Sequence, residues 1–101
     1  MDTATLLAEA KARFNHNSAK AYLKDKYESK LIIAEQGGLW RADLATILAL
    51  SSFKDEKIVL IDTFGNPVRV YREALLETLQ KTYNTVMEEW YLEWKKLESS
   101  R

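Results

Sequence analysis

The sequence predicts an α+β domain in which helices pack on a small antiparallel sheet, and three observations carry that prediction. From Arg72 to about Glu98 the chain has no Gly or Pro, and its apolar residues, from Leu75 through Leu79, Val86, Trp90 and Leu97, recur at helical spacing. Two short apolar, β-branched runs, Leu31–Ala34 and Ile58–Ile61, each lead into a glycine-containing turn and a second strand-like stretch, the pattern of a β-hairpin. Between the hairpins, Asp43 stands at a helix-cap position ahead of Leu44, Ile47, Leu48, Leu50 and Phe53. The order read from the chain is α-α-β-β-α-β-β-α in a single domain, 1–101. It has about four strands in two hairpins forming one small sheet, and a long C-terminal helix.

The elements follow in order. Asp2 or Thr3 can cap a first helix ending near Phe14, with Leu6, Leu7, Ala10 and Phe14 on one face. The polar cluster Asn15-His16-Asn17-Ser18 predicts a break and a fresh cap. A second helix then runs to about Tyr27, with Ala19, Tyr22, Leu23 and Tyr27 as its stripe. Helices this short are marginal alone, so both are expected to dock on the rest of the chain.

Gly37-Gly38 supplies the first hairpin turn, leading into Leu39-Trp40-Arg41. The second hairpin turns through Thr63-Phe64-Gly65-Asn66 into Pro67–Tyr71. Its return strand alternates, with Val68 and Val70 inward and Arg69 and Tyr71 outward, whereas the two leading runs are apolar without alternation. Continuous apolar runs mark strands buried on both faces, so these two are expected at the centre of the sheet, with Trp40 and Val68–Tyr71 at its edges.

A helix from Arg72 to Glu98 reaches roughly 40 Å. A compact domain of this size is only about 33 Å across, from a radius of gyration near 13 Å. The C-terminal end is therefore expected to overhang the body, carrying Trp90, Tyr91 and Trp94. Large aromatics are enriched where proteins meet partners. The candidate interface is Leu79, Tyr83, Val86, Trp90, Tyr91 and Trp94, buried against a second copy or another protein. The alternative role for this stripe is to close the core under the first helices.

Fifteen basic and fifteen acidic side chains cancel, which removes any bulk attraction to nucleic acid or anionic lipid. The charge is unevenly placed, net +4 over residues 11–30 and net −2 over residues 72–98, as solvated faces or as ends that attract in an assembly. Glu88, Glu89 and Glu93 surround the C-terminal aromatics and disfavour a nucleic-acid platform there. No cysteine is present, which excludes disulfides and thiolate chemistry. The first residues include acids and no long apolar run, so neither a signal peptide nor a membrane span is expected.

His16, the lone histidine, is expected in an exposed turn, and Glu89 with Glu93 on a solvated acidic face. The Asp62–Asn66 loop lacks the glycine spacing of a phosphate cradle and reads as a hairpin turn with Phe64 at its tip. No catalytic, cofactor or metal constellation is legible, so the expectation is a protein without enzymatic activity or cofactor.

The segment Gly38-Leu39-Trp40-Arg41-Ala42-Asp43, the helix after it, and Leu60-Ile61-Asp62-Thr63-Phe64-Gly65-Asn66-Pro67-Val68 resemble small uncharacterised domains of tailed bacteriophages, of the tail-fibre-associated type. The resemblance covers about residues 30–98, and the whole chain is similar to short hypothetical proteins of marine cyanophages. Tyr71-Arg72 stands where those domains commonly place a Thr or Ser cap. The resemblance implies an accessory or structural phage protein, in the infected host's cytoplasm or in the virion, whose partner is a second copy or another phage protein. The alternative is a regulatory protein that binds a host protein or nucleic acid through the basic 11–30 region.

Overall fold

The computed structural model describes residues 3–99. Its elements are helix α1 (Thr3–Lys30), strands β1 (Ile32–Glu35) and β2 (Gly38–Arg41), helix α2 (Leu44–Ser52), strands β3 (Lys57–Ile61) and β4 (Pro67–Tyr71), and helix α3 (Arg72–Ser99). The α+β class, both hairpins and the long C-terminal helix are as the sequence predicts.

Three features of the secondary structure differ from the sequence reading. The two expected N-terminal helices are one helix, unbroken through Asn15–Ser18. Those residues cost only a few tenths of a kcal/mol each in a helix. The turn they occupy is held by its neighbours on the α3 side, with Leu23 and Tyr27 buried there. His16 therefore lies within α1 rather than in a turn.

The hairpins also remain two separate two-stranded ladders, so neither leading strand is central. Trp40, expected at an edge, is instead among the most buried residues, while Val59 and Ile61 on β3 are 50% and 65% exposed. Finally, the first turn sits one residue earlier than Gly37-Gly38. Glu35 pairs with Gly38, and Gln36 (φ 48°) and Gly37 (φ 80°) form the two-residue loop. Positive φ at both central residues is the type I′ geometry that suits strand twist. Gln36 has a compensation for its unfavourable backbone: its side-chain amide accepts from the Tyr71 N–H (2.7 Å) and donates to the Tyr71 carbonyl (3.2 Å).

The core runs from the hairpins into the helix pair. Trp40, Leu50, Ile58, Val70, Leu75 and Leu79 fill the head, and Leu23, Tyr27 and Val86 continue it between α1 and α3. Asp43 caps α2 by accepting from the Thr46 N–H at 2.9 Å. Arg72 anchors the start of α3 by donating to the carbonyls of Asp55 and Leu50.

The molecule measures 66 × 25 × 20 Å with a radius of gyration of 19.3 Å, well above the roughly 13 Å of a compact chain this long. An antiparallel α1/α3 arm standing on the head accounts for the difference. The overhang, however, belongs to the other helix. His16 and Lys20 both reach Glu98 near the end of α3, so residues 3–15, about 20 Å of helix, project beyond it. All thirteen are exposed.

Candidate interaction surface

The arm is joined by a ring stack and a ladder of charges. Tyr27 and Trp90 stack with centroids 6.0 Å apart. Lys26 donates to both oxygens of Glu93, at 3.1 and 3.3 Å. Lys30 reaches Glu89 at 3.5 Å, and the Lys30 ammonium also lies 4.9 Å from the Tyr27 ring centre. At the far end Lys20 pairs with Glu98 at 3.1 Å. The hydrogen bond to Glu93 holds the Lys26 ammonium above its ordinary pKa, and the same bond holds the Glu93 carboxyl below its own, with partial burial opposing both shifts. Burial raises the Tyr27 phenol. The basic and acidic stretches thus meet within one chain, and Glu89 and Glu93 are ion-pair partners rather than a bare solvated face.

This packing sorts the six interface candidates. Leu79 and Val86 are buried in the chain's own core, and Tyr83 and Trp90 pack partly buried against it. Tyr91 and Trp94 remain exposed and stack on each other at 6.2 Å. Lys95 stands 6.0 Å from the Tyr91 ring centre.

Beyond Ser99 lies a surface that the sequence reading assigned to intramolecular docking. Leu6, Leu7 and Phe14 are exposed, Phe14 at 70%. At 100° per residue, the Leu6-Leu7-Ala10-Phe14 stripe is rotated roughly 130° from Leu23 and Tyr27. It faces away from the side of α1 that α3 occupies. The signal was present in the sequence as a change of phase between two apolar stripes, but it becomes informative only once the helix is known to be continuous.

On the head, Asp62 ties the hairpins together. Its carboxylate accepts from the backbone N–H groups of Phe64 and Asn66 (both 3.0 Å) and Leu39 (3.2 Å). The Asn66 bond above all holds this carboxyl below the ordinary range. Asp62 thus has a structural role already, and Phe64 is exposed at the tip as read from the sequence. Beside it, an open groove of about 440 Å³ runs between α2 and the end of β3, lined in part by Arg41, Ala45, Ala49, Ile61 and Thr63.

Among the described residues, no group of three or more His, Asp or Glu side chains converges as a metal site. No helix among them is long and apolar enough to cross a membrane. Comparisons with protein-family models, curated proteins and solved structures give no match.

Proposed function

We propose that this protein works without enzymatic activity, through protein–protein contacts of its helical arm, and that it self-associates there. The observation that carries the reading is the overhanging stripe of Leu6, Leu7 and Phe14, uncovered and turned away from α3. An isolated helix of this length is marginal in water, so a covering partner gives it a reason to be ordered. Tyr91 and Trp94 extend the apolar surface along the same arm. An accessory or structural role in a tailed phage, in the virion or the infected host's cytoplasm, rests on the sequence resemblance alone. The rival reading, capture of a host protein or nucleic acid by the 11–30 region, is weakened because Lys20, Lys26 and Lys30 already pair with acids of α3.

The test is solution mass by light scattering over a range of concentrations. It compares the wild type with Leu7→Glu/Phe14→Glu and Tyr91→Ala/Trp94→Ala variants whose helical circular dichroism is intact. The reading expects the wild type to exceed the monomer mass and the overhang variant to lose mass. An overhang variant that keeps the wild-type mass removes the arm from the account.

A further inference from the structure

The second hairpin closes one edge and leaves the middle of the other open. Backbone bonds from Asp62 N–H to Asn66 and from Arg72 N–H to Glu56 fix the phase of the ladder. Even-numbered residues of β3 bond to β4, so Lys57, Val59 and Ile61 direct their N–H and C=O groups outward. On β4 the outward positions are Pro67, which has no N–H, Arg69, and Tyr71, whose N–H and C=O are both held by Gln36. Pro, a charged side chain and a covering group are standard guards against strand addition. On β3 the only such guards are at the ends: Lys57 at its start, and β2 just past its finish, where the Thr63 N–H donates to the Leu39 carbonyl at 2.9 Å, so Val59 and Ile61 between them are unguarded. Among the described residues, the outward backbone groups of Lys57, Val59 and Ile61 have no hydrogen-bond partner outside the hairpin, and the outer face of β3 presents Val59 and Ile61 half and two-thirds exposed.

We infer that the β3 edge pairs antiparallel with β3 of a second copy about a two-fold axis at Val59, joining the two hairpins into a four-stranded sheet. This register sets Val59 opposite Val59 and Lys57 opposite Ile61, so all three outward residues of each copy find partners. It also fits the charges. Arg41, exposed in the groove beside Ile61 and Thr63, makes no ion pair among the described residues. Asp55 and Glu56, exposed just before β3, make none through their carboxylates either. Antiparallel pairing brings those acids of one copy to the Thr63 end of the other, where Arg41 stands, twice by symmetry. The apolar run Ile58–Ile61 then acquires the central place that its sequence implies. A seam of two five-residue strands is smaller than the roughly 1,200–2,000 Å² of a stable interface, so this pair forms reversibly as concentration rises.

The experiment uses the full chain in the Leu7→Glu/Phe14→Glu background, which removes the arm contact and separates this inference from the proposed function. The chain has no cysteine, so Val59→Cys and Ile61→Cys each introduce a single thiol. Across the axis the residue-59 Cα atoms lie about 5.5 Å apart, within disulfide reach, whereas the residue-61 pair is separated by roughly 13 Å or more. Under mild oxidation Val59→Cys is expected to form covalent dimer about ten-fold faster than Ile61→Cys. Val59→Pro removes an outward N–H without touching a bond to β4, and Val59→Lys sets two ammonium groups face to face. Both are expected to lower the dimer fraction in sedimentation while circular dichroism stays native. Equal cross-linking at 59 and 61 overturns the inference. So does a strictly monomeric overhang variant at every concentration, including the case in which the edge serves a strand of some other protein.

Discussion

Tyr27 of α1 and Trp90 of α3 stack with ring centroids 6.0 Å apart and planes within 9°, midway along the arm. Tyr27 is 2% exposed, so the pair belongs to the fold of one chain. Truncating Trp90 to Ala should cost about 3 kcal/mol of stability, the usual scale for a large aromatic packed on a core. A double cycle with Tyr27→Ala should show coupling of about 1 kcal/mol. Trp94→Ala, on the exposed face, should cost under about 1 kcal/mol. Urea unfolding followed by circular dichroism measures all three, and an equal loss for Trp90 and Trp94 contradicts this division of roles.

Gly38 shows the opposite problem, a place with no room. A Cβ there would lie 2.6 Å from Cζ2 of Trp40. The indole cannot retreat, because it is buried and its N–H donates to the Glu35 carbonyl at 2.8 Å. Gly38→Ala should therefore destabilise by about 2 kcal/mol through overpacking. At Gly37 the space is open but φ is +80°, so Gly37→Ala should cost about 1 kcal/mol from backbone conformation alone. Thermal unfolding of the two variants separates the mechanisms, since only the Gly38 change should also perturb Trp40 fluorescence.

What could be read locally in the sequence was the chemistry of short segments: the Asp43 cap, the hairpin loops, and the apolar period from Leu75 to Leu97. The features that misled were those decided at a distance. Asn15–Ser18 reads as a break because each residue is a mediocre helix former, yet the contacts of Leu23 and Tyr27 with α3 hold the helix through it. Gly37-Gly38 reads as the turn because both glycines tolerate positive φ, and only the ring of Trp40 explains why the second is needed for space. The charge asymmetry between residues 11–30 and 72–98 was visible, but sequence alone could not distinguish pairing within a chain from pairing between chains. Of the six interface candidates, Tyr91 and Trp94 are exposed, because α1 covers the rest of that stripe together with the head.

Acid should act first through Asp62 and Glu93. Both carboxyls have folded pKa values below the ordinary range, so the folded state binds fewer protons than the unfolded one as the pH falls. Their contribution is present above about pH 4 and is lost as the pH drops through the folded values. Alkali acts through Lys26 and Tyr27, whose folded values are raised; stability is complete below about pH 10 and declines above it. Asp62→Asn tests the first claim. Its amide keeps an acceptor for Phe64 and Asn66 but turns an N–H donor toward the Leu39 N–H. The variant should be less stable at neutral pH and should lose less stability than wild type between pH 5 and the acid limit. Parallel acid limbs in the two proteins would remove Asp62 from the explanation.

Amide hydrogen exchange should divide α1 at the point where α3 ends. Residues 19–30 face α3 and include the buried Leu23 and Tyr27, so their amides should open only with the arm and exchange slowly. Residues 3–15 have hydrogen bonds along the helix, and all of them are exposed. In the monomer their opening free energy should be close to zero, and they should exchange orders of magnitude faster than the docked half. Raising the concentration discriminates further. Cover by a second copy adds protection over 3–15 in proportion to the associated fraction, and Leu7→Glu/Phe14→Glu should abolish that increment while leaving 19–30 unchanged. If protection of 3–15 is instead high and independent of concentration, an intramolecular contact covers the stripe, and self-association through the overhang is wrong.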